Sequence, residues 1–104
     1  MKFFVKFTPI VGKNIDAMTR FANWDLESGD AMMESMGIKV LAQYFMTEGG
    51  GFMVAEAESS SAITAFTTPW TDLMEMEIST VVDREEAQAT AKHCLLYTSD
   101  AADE

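Results

Sequence analysis

Patterned segments in the order β-α-β-β-α-β, closed by one more helix, predict an α+β fold of the ferredoxin-like kind. That fold is a four-stranded antiparallel sheet with both main helices on one face. Three observations carry the prediction. The segments "KFFVKFT" and "MEMEISTVV" alternate with the period of half-buried strands. "IKVLAQYFM" and "FMVAEAE" flank the glycine loop "TEGGG", the pattern of a hairpin. Apolar residues return at helical spacing in the two remaining connections.

Taken in order, the first strand places Phe3, Val5 and Phe7 on one face and Lys2, Phe4, Lys6 and Thr8 on the other. Pro9 and Gly12 punctuate a loop. Asn14 is the expected cap of a helix whose apolar stripe is Ile15, Met18, Phe21 and Ala22. Gly29 is read as a break, and Asp30 as the cap of a further turn carrying Met32, Met33 and Met36, closed by Gly37. After the hairpin, Ser59, Ser60 and Ser61 supply a cap for a helix bearing Ile63, Phe66 and Trp70. Pro69 ends or restarts that helix, with Thr68 as a new cap. In the last strand Met74, Met76, Ile78 and Thr80 oppose Glu75, Glu77, Ser79 and Val81. A final helix starts from Asp83, with Glu85 and Glu86 set against its N-terminal dipole.

Composition narrows the function classes. The 104 residues suit one domain, and a formal net charge of −10 with scattered lysines and arginines speaks against nucleic-acid binding and against an anionic membrane surface. No apolar stretch is long enough to span a bilayer, and "MKFFVKFTPI" lacks the run and cleavage site of a signal peptide. A cytoplasmic location is expected. The single cysteine excludes an intrachain disulfide framework.

The last eleven residues, "CLLYTSDAADE", resemble the conceptual translation of a sequencing adapter, as found at the ends of genes from fragmentary, metagenomic assemblies. On that reading the domain is residues 1–93, residues 94–104 are a non-native or disordered tail, and the natural C-terminus is missing. Without Asp100, Asp103 and Glu104 the net charge becomes −10 + 3 = −7. No chemistry is placed on Cys94 or Tyr97.

With the first and third strands central, the helix-facing set is Phe3, Val5, Phe7, Met53, Ala55, Ala57, Met76 and Ile78. The opposite face then carries Phe4, Lys6, Phe52, Val54, Glu56, Glu75 and Glu77. Leaving large apolar side chains in water forgoes roughly 1.5–3 kcal/mol each, and contiguous apolar patches mark contact sites. Two copies packed open face to open face would bury them. A homodimeric α+β barrel is therefore expected, with a small-molecule cavity between its sheets.

The stretches "PWTDLMEMEISTVVDREEAQATAK" and "GGGFMVAEAESSSAI" are similar to the domain of unknown function 3303 family of small bacterial proteins. The shared pattern is a tryptophan before aspartate-leucine, an alternating strand with a valine-rich end, an acidic helix, and a glycine-led third strand. The resemblance covers most of residues 1–92 and is more diffuse before Gly37, where "LESGDAMMESMG" is long and rich in methionine. It implies a ferredoxin-like, dimeric α+β barrel and brings no activity with it.

Candidate site residues have two readings each. Trp70 and Asp72 are a core anchor and a helix terminator, or else an indole lining a pocket beside a ligand-polarising carboxylate; the first is preferred. Lys6 with Glu56, Glu75 and Glu77 forms cross-strand ion pairs, or a cavity in which Glu56 is a general base. "EGGGF" precedes a strand and so is no phosphate cradle, and His93 beside Cys94 lacks the ligand count for a metal. No metal or cofactor is expected. The nine methionines fill a core, or Met32, Met33 and Met36 wall a pocket for varied apolar ligands.

The function expected is binding of an apolar or amphipathic small molecule by a homodimer, in a pocket of Phe4, Tyr44, Phe52, Val54 and Trp70. A cofactor-free monooxygenase or isomerase using Glu56 is one alternative. An assembly module without a cavity is the other.

Overall fold

The computed structural model describes residues 1–103, with side chains through Tyr97. Strands β1 (Lys2–Pro9), β2 (Lys39–Phe45), β3 (Gly51–Glu56) and β4 (Met74–Val81) form one antiparallel sheet in the order β2-β3-β1-β4, so β1 and β3 are central. Helices α1 (Asn14–Ala22), α2 (Leu26–Ser35) and α3 (Ser60–Thr67) connect them, and a 3-10 turn over Thr68–Trp70 leads from α3 to β4. The α+β class expected from the strand patterning is the class observed.

Register follows side-chain alternation. Phe3 pairs with Ala55 and Thr80, and Val5 with Met53 and Ile78, so one face of the two central strands collects apolar side chains. That face is the buried one: Phe3, Val5, Met53, Ala55 and Ala57 are buried with Met33, Ile38 and Ile63. Phe4, Lys6, Phe52 and Val54 occupy the opposite face, which no helix covers among the described residues, and remain half-buried by their neighbours. A slip by one residue would exchange the two sets. The β2–β3 ladder shifts register between Val40 and Ala42, the local signature of a bulge on the edge strand.

The turn between β2 and β3 closes with Met46 N–H donating to the Gly50 carbonyl at 2.9 Å. Gly50 has φ +76°, and a Cβ there would run into the Phe7 carbonyl oxygen. Only glycine lets β1 pass so close to the turn.

Three helix starts differ from expectation. Asn14 is the first residue of α1, whose N-cap is Lys13 without a side-chain bond. Gly29 does not break α2. That helix is capped by Asp25, which accepts from the Glu27 N–H at 3.2 Å and from the Ser28 hydroxyl at 2.6 Å, and it runs unbroken past Asp30. Ser59 occupies the N-cap of α3 in extended conformation, with no side-chain bond. Asp83 does cap the last helix, α4 (Arg84–Asp103), accepting from the Glu86 N–H at 2.7 Å.

The expected stripe of α1 is also not a core stripe. Ile15 is 72% exposed and Met18 66%, whereas the one buried residue of the helix is Ala17. The core is accordingly divided. One cluster lies under α2 and α3; a second, of Ala17, Leu73 and Met74, gathers with Phe7, Trp70 and Met76 at the other end. Helix α4 begins beyond the sheet, and its side chains from Arg84 to Tyr97 are all exposed. The expectation of a non-native tail extends past Tyr97, where it falls outside the described side chains.

Candidate functional site

Between the two core clusters lies a cavity of about 450 Å³, on the helix-covered side of the sheet. Its floor is Val5, Phe7 and Met53 from the central strands with Met74 and Met76 from β4. Its roof is Ala17, Met18 and Phe21 from α1, with Met33 from α2 and Phe66 from α3. The β2–β3 turn, from Met46 to Gly50, closes one side. Six of the nine methionines line it: Met18, Met33, Met46, Met53, Met74 and Met76. Met32 and Met36 do not, so of the expected methionine trio only Met33 contributes.

Two aromatic groups frame the space. Phe45 of β2 packs edge-on against Phe7 at 5.4 Å between ring centroids, and in a tilted arrangement against Phe21 of α1 at 4.7 Å. Trp24, in the connection from α1 to α2, meets Trp70 at 5.1 Å. Gly29 makes room for this pair, since a Cβ there would lie 2.6 Å from the Trp24 Nε1. Phe21, Leu26 and Phe45 are exposed at the rim. A sealed apolar void of this size would cost on the order of 10 kcal/mol at about 24 cal/mol per Å³, as much as the whole stability of a domain. An open rim avoids that penalty by admitting water, and the same water is readily displaced by an apolar guest.

Asp72 stands outside the cavity and holds its wall in place. The Arg20 guanidinium donates to both Asp72 carboxylate oxygens, at 2.8 and 2.7 Å, and to the Pro69 carbonyl at 3.2 Å. It also lies over the Trp70 ring, 5.4 Å from the centroid. The Arg20 hydrogen bond holds the Asp72 carboxyl below the usual carboxylate range, with the guanidinium charge acting in the same direction. This fork ties α1 to the 3-10 turn and fixes Trp70 between them.

The open face carries the other expected residues. Phe4 and Phe52 stack at 5.7 Å, Tyr44 adds to Phe52 at 5.8 Å, and Val54 lies opposite Ala42 and Phe4. Trp70 is thus not brought together with Phe4, Tyr44, Phe52 and Val54, because the sheet separates them. Lys6 sits in register between Phe52 and Glu77, with Glu75 two pairs further on, opposite Thr8. Glu56 is at the other end of β3, exposed, across from Lys2 and Lys39. The four polar residues therefore do not converge. Among the described residues the ion pairs are Arg20–Asp72 and Arg84–Glu85, and no group of three or more histidine, cysteine or acidic side chains could hold a metal.

Trp24 and Arg20 escaped the sequence reading. Gly29 is a signal for Trp24, since a glycine inside a helical pattern can have a packing reason, whereas nothing in the sequence marks Arg20.

No curated protein matches this sequence significantly. Among solved structures the chain is similar to a microcompartments protein from Desulfitobacterium hafniense DCB, with 15% identity and a TM-score of 0.44. That likeness covers 80% of this chain and 42% of the other, so the chain spans less than half the length of that protein. A family profile described as domain of unknown function (DUF3303) matches residues 1–95, nearly the whole chain. That match, which spans all four strands of the sheet, places this chain in the DUF3303 family.

Proposed function

We propose that this protein binds an apolar or amphipathic small molecule in the cavity beneath α1 and α2, and that it does so as a homodimer joined through its open sheet face. The observation that carries the first part is the divided core. A volume of about 450 Å³ lies within the range of small-molecule sites, and its walls are aromatic rings and methionines. Methionine side chains adapt to guests of different shape. On this reading the pocket lies on the helix-covered side of one sheet and not between two sheets.

Support for the dimer is the uncovered layer of Phe4, Tyr44, Phe52 and Val54, with Lys6 beside Phe52 and with Lys2, Lys39, Glu56, Glu75 and Glu77 around it. A surface with an apolar centre and charges of both signs at its margin can complement a second copy of itself.

Nile red, a neutral dye that brightens in apolar surroundings, tests the binding site. It is expected to bind one per chain, and Phe21→Gln at the rim is expected to weaken binding about tenfold, the worth of one large apolar contact. Binding that ignores Phe21→Gln but disappears in Phe52→Asp would move the site back to the open face and defeat the proposal.

A further inference from the structure

The charge around the cavity points to the kind of molecule it takes. No lysine, arginine or histidine is among the residues that line it, while two carboxylates are: Asp30 on α2 and Glu48 in the β2–β3 turn. Both are exposed at the rim. Among the described residues the Glu48 carboxylate accepts from the adjacent Thr47 hydroxyl, at 3.3 Å, and Asp30 makes no ion pair. Arg20, stacked on Trp70, is already paired with Asp72 through both of its terminal nitrogens and is not among the residues that line the cavity. The remaining wall offers six aromatic rings, Phe7, Phe21, Trp24, Phe45, Phe66 and Trp70, whose faces attract cations.

We infer that the cavity selects an apolar molecule ending in a cationic head, an amine or quaternary ammonium, over one ending in a carboxylate. This rests on the binding site proposed above and adds its charge preference. An apolar chain would occupy the space between Met33, Met53 and Met74, and its head would stand at the rim beside Asp30 and Glu48. A fatty acid in the same pose would set its carboxylate against two others with no cation to meet it. The net charge of −10 draws cations in the same sense but cannot place them.

Both tryptophans of the chain line the cavity, so their emission reports occupancy directly. The test titrates decyltrimethylammonium, decanol and decanoate below their micelle-forming concentrations, with circular dichroism to confirm that the fold is intact. The ammonium is expected to bind at least about tenfold tighter than decanoate in low salt, and the gap is expected to narrow as salt screens the rim. In the double variant Asp30→Asn, Glu48→Gln the ratio is expected to fall to about twofold. Each single variant is expected to close part of it, which keeps the test decisive should the double variant fold poorly. Decanoate binding as tightly as the ammonium overturns the charge preference and leaves the cavity reading standing. A preference unchanged in the variants also overturns it, by assigning the effect to net charge alone. Failure of all three, decanol included, to shift tryptophan emission overturns the binding site itself.

Discussion

Arg20 and Asp72 show how a single contact can order a wall it does not line. The bidentate fork is partly exposed, and its value is geometric, because it clamps α1 to the 3-10 turn and steadies Trp70. Since the Asp72 carboxyl is held below its ordinary value, its contribution to folding is complete above the usual aspartate range, near pH ~4, and is lost as pH falls through the lowered value. Thermal melts of Asp72→Asn should therefore start from a lower melting temperature at neutral pH. They should also lose less than the wild type on acidification. Equal acid sensitivity of the two proteins would refute the role. Asp25, lowered first by its Ser28 hydrogen bond, remains in the variant and should retain a residual slope of the same sign. At Gly29 two effects oppose. Alanine would gain about 1 kcal/mol of helix propensity, yet its Cβ would meet the Trp24 ring, and overpacking costs about 1–3 kcal/mol. The ring is too bulky to move aside freely, so Gly29→Ala should show net destabilisation in urea together with a shifted tryptophan emission. A more stable protein with unchanged emission would mean that Trp24 yields easily.

The strands were legible because alternation is a strong constraint once one face is buried. Every residue assigned to the helix-facing side of β1 and β3, from Phe3 to Ala55, lies there. The helices were less legible. Gly29 resembles a break because propensity weighs against glycine, while the Trp24 ring that needs its missing Cβ lies in a connection with no periodicity to mark it. The stripe of α1 misled for a related reason. Met18 and Phe21 border the cavity but stay largely exposed at its open side, so helical spacing located the face without revealing the gap beneath it. The cavity itself has no sequence signature, being the gap between two packed clusters whose residues are far apart in the chain. Element packing also sets where truncation hurts. Ile63 on α3 is fully buried in the larger cluster, and Ile63→Ala should cost about 2–5 kcal/mol in equilibrium unfolding. A loss under about 1 kcal/mol would indicate that the cavity relaxes to fill the gap.

At the scale of the molecule, the proposed homodimer makes a prediction about mass. Native mass spectrometry of the full chain should give twice the chain mass, and Phe52→Asp, which buries a charge at the centre of the apolar face, should return it to one. A wild-type protein that stays at one chain mass across micromolar concentrations would remove the dimer. The Trp24–Trp70 cavity would be unaffected by that result, because it is built within one chain.

The outward course of α4 has a consequence for any sizing experiment. The longest dimension of the chain is 61 Å and the shortest 21 Å. A rod-like particle drags more and rotates unequally about its axes, so a single copy would elute early from a sizing column and imitate a heavier sphere. Diffusion alone would therefore misjudge stoichiometry, and only methods that weigh the particle can separate an elongated singleton from a true pair.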